Sequence, residues 1–277
     1  ASDVYKRQPL LRGSTTVPSP DWRNAEAGES ASGFARRAAE QLSQHLAEHA
    51  ATTAAVIVEP LVQCANRMAM YDAEYLRLAR AACDEYGVHL IADEIAVGFG
   101  RTGTFFAHEA AQITPDLMTL SKGITGGYLP LSVVMCNDRI YQAFYSDEFN
   151  RGFLHSHSYT GNALACAAAL AVLDLFEQQD VLAANTQRAR AIRDAAQPLA
   201  DHPRVSHLRQ TGMITAFDVD TDDPGFSRRY HLAALEHGVL LRPIGNTVYF
   251  MPPYVLTDAD CDHLIAGARR ALESALS

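Results

Sequence analysis

HLIADEIAVGFGRTGTFF (89–106) and PDLMTLSKGITGGYLPLS (115–132) are the two stretches that decide the fold. Each begins with a short apolar run that ends on polar residues, Asp93-Glu94 in the first and Ser121-Lys122 in the second. Near-continuous apolar runs of this length, bounded by Gly and Pro, read as strands of a buried, mostly parallel sheet. In open α/β sheets, ligands bind outside the carboxyl ends of the strands. Asp93 and Lys122 both fall at such ends, 29 residues apart, and Glu59 does so after Ala54–Val58. The strand holds the stem of Lys122, and the glycines of GITGG let backbone or ligand approach closely. Partial desolvation lowers the pKa of a lysine amine and makes it a competent nucleophile toward a carbonyl. Asp93 is a natural partner for such a cation, in a reacting pair or in a plain buried ion pair.

Working outward, strands alternate with amphipathic helices. A helical pattern covers Phe34–Ala51, and Asp72 is an N-cap for a helix through Tyr86 that Gly87 stops. Val88–Ala92, Leu117–Leu120 and Leu131–Cys136 read as strands. An Ala-rich helix runs from Ala163 to about Glu177, and a further helical run reaches about Leu199. The character then changes. Val205–Leu208, Met213–Val219, Val239–Arg242 and Val248–Met251 are strand-like, with helices at Phe226–Glu236 and Asp258–Leu276. The expected organisation is a partial major domain over 1–178 and a smaller C-terminal α+β domain over 179–277.

Composition narrows the function. The chain has 277 residues with 23 Lys+Arg against 32 Asp+Glu, a net charge of −9. That acidity argues against a nucleic-acid surface, which needs clustered positive charge. The apolar runs fall well short of the roughly 20 residues that span a bilayer, and Ala1–Gln8 lack the apolar core of a secretory signal. Five cysteines, odd in number and without a C-x-x-C pair, point away from zinc and disulfides and toward a reducing cytoplasm. There is no G-x-x-x-x-G-K-[ST] loop, no H-E-x-x-H helix and no G-x-S-x-G elbow. His155-Ser156-His157 has no carboxylate or Cys nearby in sequence, so no metal site is expected there.

The acid, Gly-rich turn and lysine of 89–132 resemble the signature of class III (ω-type) pyridoxal-phosphate aminotransferases. HSHSYTGNALACAAAL (155–170), GVLLRPIGNTVYFMPPY (238–254) and VEPLVQ (58–63) narrow the resemblance to the biotin-pathway branch. It runs from about Pro9 to the C-terminus; Ala1–Gln8 match nothing in the family and read as an artefact of a truncated reading frame. The resemblance implies a fold-type I α/β architecture and a pyridoxal 5′-phosphate cofactor. It implies that Lys122 bonds the cofactor and moves the substrate proton, and that Asp93 pairs with the pyridine nitrogen. Ser158 takes the position of a phosphate-binding hydroxyl that reaches into a partner subunit's site, which implies a cytoplasmic homodimer with shared sites. His157 and Ser156 stand beside it where relatives have Pro and Gly, on the cofactor and substrate side respectively. Arg242 matches the arginine that grips a substrate carboxylate, and Arg101 and Tyr249 match residues of the substrate pocket.

The implied reaction moves an amino group from S-adenosylmethionine to 8-amino-7-oxononanoate. Another class III ω-aminotransferase and an inactive folded remnant are the alternatives. The family enzyme is longer, and its N-terminal glycine/serine phosphate loop and cofactor-stacking aromatic have no counterpart here. Ala65–Met68 (ANRM) also departs from the small, Gly-rich run of the family.

Overall fold

A computed structural model describes residues 13–277; the reading of Ala1–Gln8 lies outside them. Ser30 caps helix α1 (Ala31–His49) by accepting from the Gly33 N–H, so the helix starts a turn earlier than the hydrophobic pattern suggests. Phe34, Ala38, Leu42 and Leu46, three to four residues apart, are buried as one stripe. Strand β1 (Ala55–Val58) follows, then the two-residue strands β2 (Val62–Gln63) and β3 (Ala69–Met70), paired antiparallel. Helix α2 (Ala73–Tyr86) begins at the Asp72 cap and ends at Gly87, whose φ of 66° is the left-handed conformation a helix stop requires.

Strands β4 (His89–Asp93), β5 (Leu117–Leu120) and β6 (Val133–Cys136) complete a sheet of order β1-β4-β5-β6. β1, β4 and β5 run parallel, whereas β6 pairs antiparallel with β5. The reversal follows from the connection. A parallel crossover needs a helix-length excursion, and Ser121–Ser132 holds only one 3-10 turn. The expectation of a sheet buried throughout holds for the centre and not for the edges: Ile57 on β1 and Val134 on β6 are 63% and 65% exposed. Helices α3 (Asp138–Phe144) and α4 (Ala163–Gln178) come next, capped by Asn137 and Asn162. Only Ala165 and Ala169 of α4 are buried, and Leu164 and Leu170 face solvent.

Helix α5 (Val181–Ala196) leads to strands β7 (Val205–Thr211) and β8 (Ile214–Val219), helix α6 (Phe226–Glu236), strand β9 (Thr247–Phe250) and helix α7 (Asp258–Leu276). The three strands form an antiparallel sheet of order β7-β8-β9. β8 is buried on both faces, and its period of two divides it between two cores. Ile214 and Ala216 join the core of α1 and α2, whereas Phe217 and Val219 join that of α5, α6 and α7.

Val239–Arg242 is not a strand. The Val239 N–H closes the end of α6 on the Ala234 carbonyl, His231 Nδ1 takes the Leu241 carbonyl at 2.7 Å, and Pro243 has no N–H. The backbone groups that a ladder would need are committed elsewhere, so β-propensity is overridden.

Asp218 of β8 anchors three distant segments. It accepts from Thr247 Oγ1 at 2.7 Å, Arg23 Nη1 at 3.0 Å and buried Arg209 Nη2 at 3.2 Å. A bulge between Ser206 and Arg209 aims that arginine inward. Its other donors reach the Met68 and Arg67 carbonyls at 3.1 and 2.7 Å.

Candidate active site

The β4–β5 register sets Asp93 opposite Thr119, which places Lys122 three residues beyond Asp93's partner. Asp93 Oδ1 accepts from the Ile95 N–H at 3.1 Å and from Thr119 Oγ1 at 3.2 Å. No protein hydrogen bond to Oδ2 occurs among the described residues. The carboxylate is thus oriented through one oxygen while the other is available to a cationic N–H.

Lys122 opens a 3-10 turn with φ 46°, a left-handed conformation that costs a non-glycine residue about 1 kcal/mol. Its surroundings hold it there. Ser121 Oγ donates to the Leu131 carbonyl at 2.7 Å, and the Ile124 N–H returns to the Ser121 carbonyl at 3.2 Å. Gly123 lets the turn pack on Phe99, since a Cβ at Gly123 would lie 2.9 Å from the Phe99 side chain. Phe99 is itself left-handed, and Tyr254 Oη fixes it by donating to its carbonyl at 2.7 Å. Contrary to the expectation of a shielded amine, Lys122 is exposed, although Ile124 and Thr125 of the turn it opens are buried.

Glu59 at the end of β1 joins these two. Burial pushes its carboxyl above the ordinary range, Asp93 adds to that, and the Cys64 backbone and Lys122 ammonium oppose it. Burial and the Glu59 charge push the neighbouring Cys64 thiol up to about 12, so it stays protonated at neutral pH and is a poor nucleophile. Arg101 stands over the Tyr254 ring at 4.5 Å and donates to the Pro252 carbonyl at 2.6 Å. Burial lowers its pKa. Glu59, Cys64, Asp93, Arg101 and Lys122 therefore share one electrostatic neighbourhood at the strand ends.

The remaining sequence candidates are not gathered there. Arg242 is exposed on the segment before β9, and Tyr249 is half-buried within β9. Ser156, His157 and Ser158 lie in an exposed turn whose bonds are local, the His157 N–H to Thr160 Oγ1 at 3.1 Å and the Tyr159 N–H to His157 Nδ1 at 3.1 Å. No group of three or more His, Cys, Asp and Glu side chains suited to a metal converges among the described residues.

Sequence reasoning gave Glu94 no role, yet it is fully buried. Its carboxylate accepts from the Ala107 and His108 N–H groups and faces His108 Nδ1, each at 2.9 Å. It clamps the loop that carries Arg101.

The family model "Aminotransferase class-III" matches residues 5–272. The chain belongs to the class III aminotransferases. An adenosylmethionine-8-amino-7-oxononanoate aminotransferase of Helicobacter pylori is 43% identical to this class III aminotransferase chain over 98% of its length and 61% of the relative's. The enzyme of the same name from Synechococcus elongatus is 40% identical over 93% of this chain and 60% of its own. A thermostable (S)-enantioselective omega-transaminase from Thermomicrobium roseum superposes with a TM-score of 0.87 at 29% identity, covering 94% of this chain and 59% of that one. The omega transaminase of Pseudomonas jessenii in complex with PMP gives 0.85 at 30% identity, covering 94% and 60%. The class III aminotransferase chain thus has the fold-type I architecture, and it spans about 60% of the length of the curated relatives it matches.

Class III aminotransferases depend in general on pyridoxal phosphate. The donor set on β4 and β5 fits that group: a lysine amine and a carboxylate with one free oxygen stand at the ends of adjacent parallel strands.

Proposed function

We propose that this chain is the cofactor-lysine and C-terminal part of an aminotransferase that moves an amino group from S-adenosylmethionine to 8-amino-7-oxononanoate, giving 7,8-diaminononanoate. The observation that carries the reading is the placement of Asp93 and Lys122 at the ends of adjacent parallel strands, Lys122 three residues beyond Asp93's register partner Thr119, joined to the 43% identity with the Helicobacter pylori enzyme. Lys122 would hold pyridoxal phosphate through its Nζ, and its amine would move the proton at the substrate carbon. Asp93, oriented by Thr119, keeps a proton on the ring nitrogen through Oδ2. When bound, the cofactor supplies an electron sink for the pair left by that proton. Arg242 grips a substrate carboxylate, while Arg101 and Tyr249 line the pocket.

Ser158, with His157, completes the phosphate site of a neighbouring subunit and Ser156 lies on its substrate side, so the working unit is a homodimer; the unpaired cysteines support a cytoplasmic setting. The exposed turn that carries all three supports the homodimer. So does the distribution of apolar surface: of the twenty large hydrophobic side chains exposed among the described residues, fifteen fall between Tyr128 and Leu175. Concentrated exposure of this kind marks an interface. No helix among the described residues is long and apolar enough to cross a membrane. The chain divides near Gln178 into a partial major domain and a small domain, a reading supported by the membership of α5 in the second core.

The test is transamination by the chain loaded with pyridoxal phosphate, with the product identified by mass. Formation of 7,8-diaminononanoate from S-adenosylmethionine supports the reading. Turnover with simple amines and none with S-adenosylmethionine would move the chain to another ω-aminotransferase activity.

A further inference from the structure

Arg67 and Met68 are consecutive non-glycine residues with φ of 54° and 51°. Each costs on the order of 1 kcal/mol, and such outliers persist only where their surroundings over-determine them. Here buried Arg209 does so, by donating to both of their carbonyls at 2.7 and 3.1 Å. The backbone is pinned from below, and the Arg67 side chain is exposed.

That side chain lies against the turn Ile244–Thr247, which two backbone hydrogen bonds of 2.9 and 3.1 Å close. A Cβ on Gly245 would stand 3.7 Å from Arg67 Nε, and Arg67 Nη1 makes a long 3.4 Å bond to Asn246 Oδ1. Asn246 is tied in turn to Val219, through its Nδ2 at 3.0 Å and its carbonyl at 2.9 Å. Arg242 precedes Gly245 by three residues. At its other end the same loop begins with Cys64, beside Glu59, Asp93, Arg101 and Lys122. Arg67 therefore stands on a loop that starts at the lysine end of the site and finishes against the Ile244–Thr247 turn, which follows Arg242 by two residues. Neither Arg67 nor Arg242 has a carboxylate within ion-pair distance among the described residues, in a chain of net charge −9.

We propose that Arg67 is a second carboxylate-binding arginine, acting with Arg242 across the Gly245 turn to select substrates that carry a carboxylate. This rests on the reading of the site given above. One weak hydrogen bond leaves most of the guanidinium donors free, and a guanidinium fork matches a carboxylate. A purely structural purpose does not need the side chain: glycine would adopt φ 54° without strain, and Arg209 binds the carbonyl, which glycine keeps.

That last point supplies the variant. Arg67→Gly removes the guanidinium and relieves the backbone, so the fold is expected to melt within about 2 °C of wild type, strain relief offsetting the entropy of a glycine. Calorimetric titration with nonanoate, a nine-carbon monocarboxylate, should show about tenfold weaker binding to Arg67→Gly, the scale of one charged hydrogen bond. Nonylamine, which lacks the carboxylate, should bind both proteins equally. Three results overturn the proposal: equal nonanoate affinity in the two proteins, no nonanoate binding by wild type, or a melting point lowered by many degrees, which would make Arg67 a structural clasp. Borohydride trapping of pyridoxal phosphate on Lys122 is followed in the same samples. Failure to trap in wild type counts against the aminotransferase reading itself, whereas normal trapping with unchanged nonanoate affinity counts against Arg67 alone.

Discussion

Thr119 Oγ1 donates to Asp93 Oδ1 at 3.2 Å across two parallel strands, and together with the Ile95 N–H it engages that oxygen and leaves Oδ2 without a protein donor among the described residues. Removing it by Thr119→Val leaves the Ile95 N–H as the remaining orienting donor to Oδ1. Turnover is expected to fall roughly tenfold, the worth of one hydrogen bond to a charged group, with stability nearly unchanged. Asp93→Asn is a harsher change: shape is kept, charge is lost, and turnover is expected to fall by several orders of magnitude while Lys122 still bonds the cofactor. Single-turnover kinetics together with borohydride trapping separate the two effects. Near-normal turnover in Asp93→Asn would mean that another group protonates the ring.

Gly123→Ala tests the packing beneath the lysine turn. The new methyl would stand 2.9 Å from Phe99, which Tyr254 already holds in place. Overpacking of this kind costs about 1–3 kcal/mol. Urea unfolding should show the loss, and Lys122 should trap cofactor more slowly because its turn is displaced. Unchanged stability would mean that Phe99 is free to move.

Glu94→Ala removes a buried acceptor and orphans the Ala107 and His108 N–H groups. At about 1–3 kcal/mol for each buried unsatisfied group, the loss should reach several kcal/mol and be global. Because that clamp holds the Arg101 loop, hydrogen exchange should quicken first between Gly98 and Ala111. A silent substitution would show that the loop is held by its aromatic contacts alone.

Carboxylates held by ion pairs and hydrogen bonds, Asp218 and Asp116 among them, set the acid limb of stability. Burial disfavours the ionised form of Asp218, yet the Thr247 hydroxyl, Arg209 and Arg23 outweigh it and leave the pKa below the ordinary value. Burial is likewise outweighed at Asp116, by the Leu90 N–H and by Arg80. A depressed folded-state pKa contributes stability that is fully present above the unfolded value and is lost as pH falls through the folded one. Urea midpoints should therefore be flat near neutrality and decline below roughly pH 4. Asp218→Asn should cost about 3–5 kcal/mol at pH 7, because it strands the buried Arg209 charge, and should flatten the acid limb. A variant whose acid limb matches wild type would rule Asp218 out as its source.

Much of the fold was legible because local signals agreed. Asp72, the apolar stripe of α2 and Gly87 all point to one helix, and the structure begins and ends it there. Val239–Arg242 was misread because apolar composition cannot reveal that His231 and the end of α6 claim its backbone groups. The reversed β6 was hidden for a similar reason: strand direction depends on the length of Ser121–Ser132, not on the composition of the strand. At the site, Asp93 and Lys122 were legible as strand-end residues. Glu94 was not, since its partners Ala107 and His108 come from a loop folded back by thirteen and fourteen residues. The strained backbone at Arg67 was visible only as a departure from a Gly-rich pattern; its grip by Arg209 spans 142 residues.

The central claim is that Lys122 is the residue that bonds pyridoxal phosphate. Incubation of the chain with pyridoxal phosphate, reduction with borohydride and mass mapping of the peptides tests it most directly. The account predicts a phosphopyridoxyl group on Lys122 alone, lost in Lys122→Ala and retained in Asp93→Asn. Label absent from Lys122, or spread evenly between Lys122 and Lys6, would contradict it.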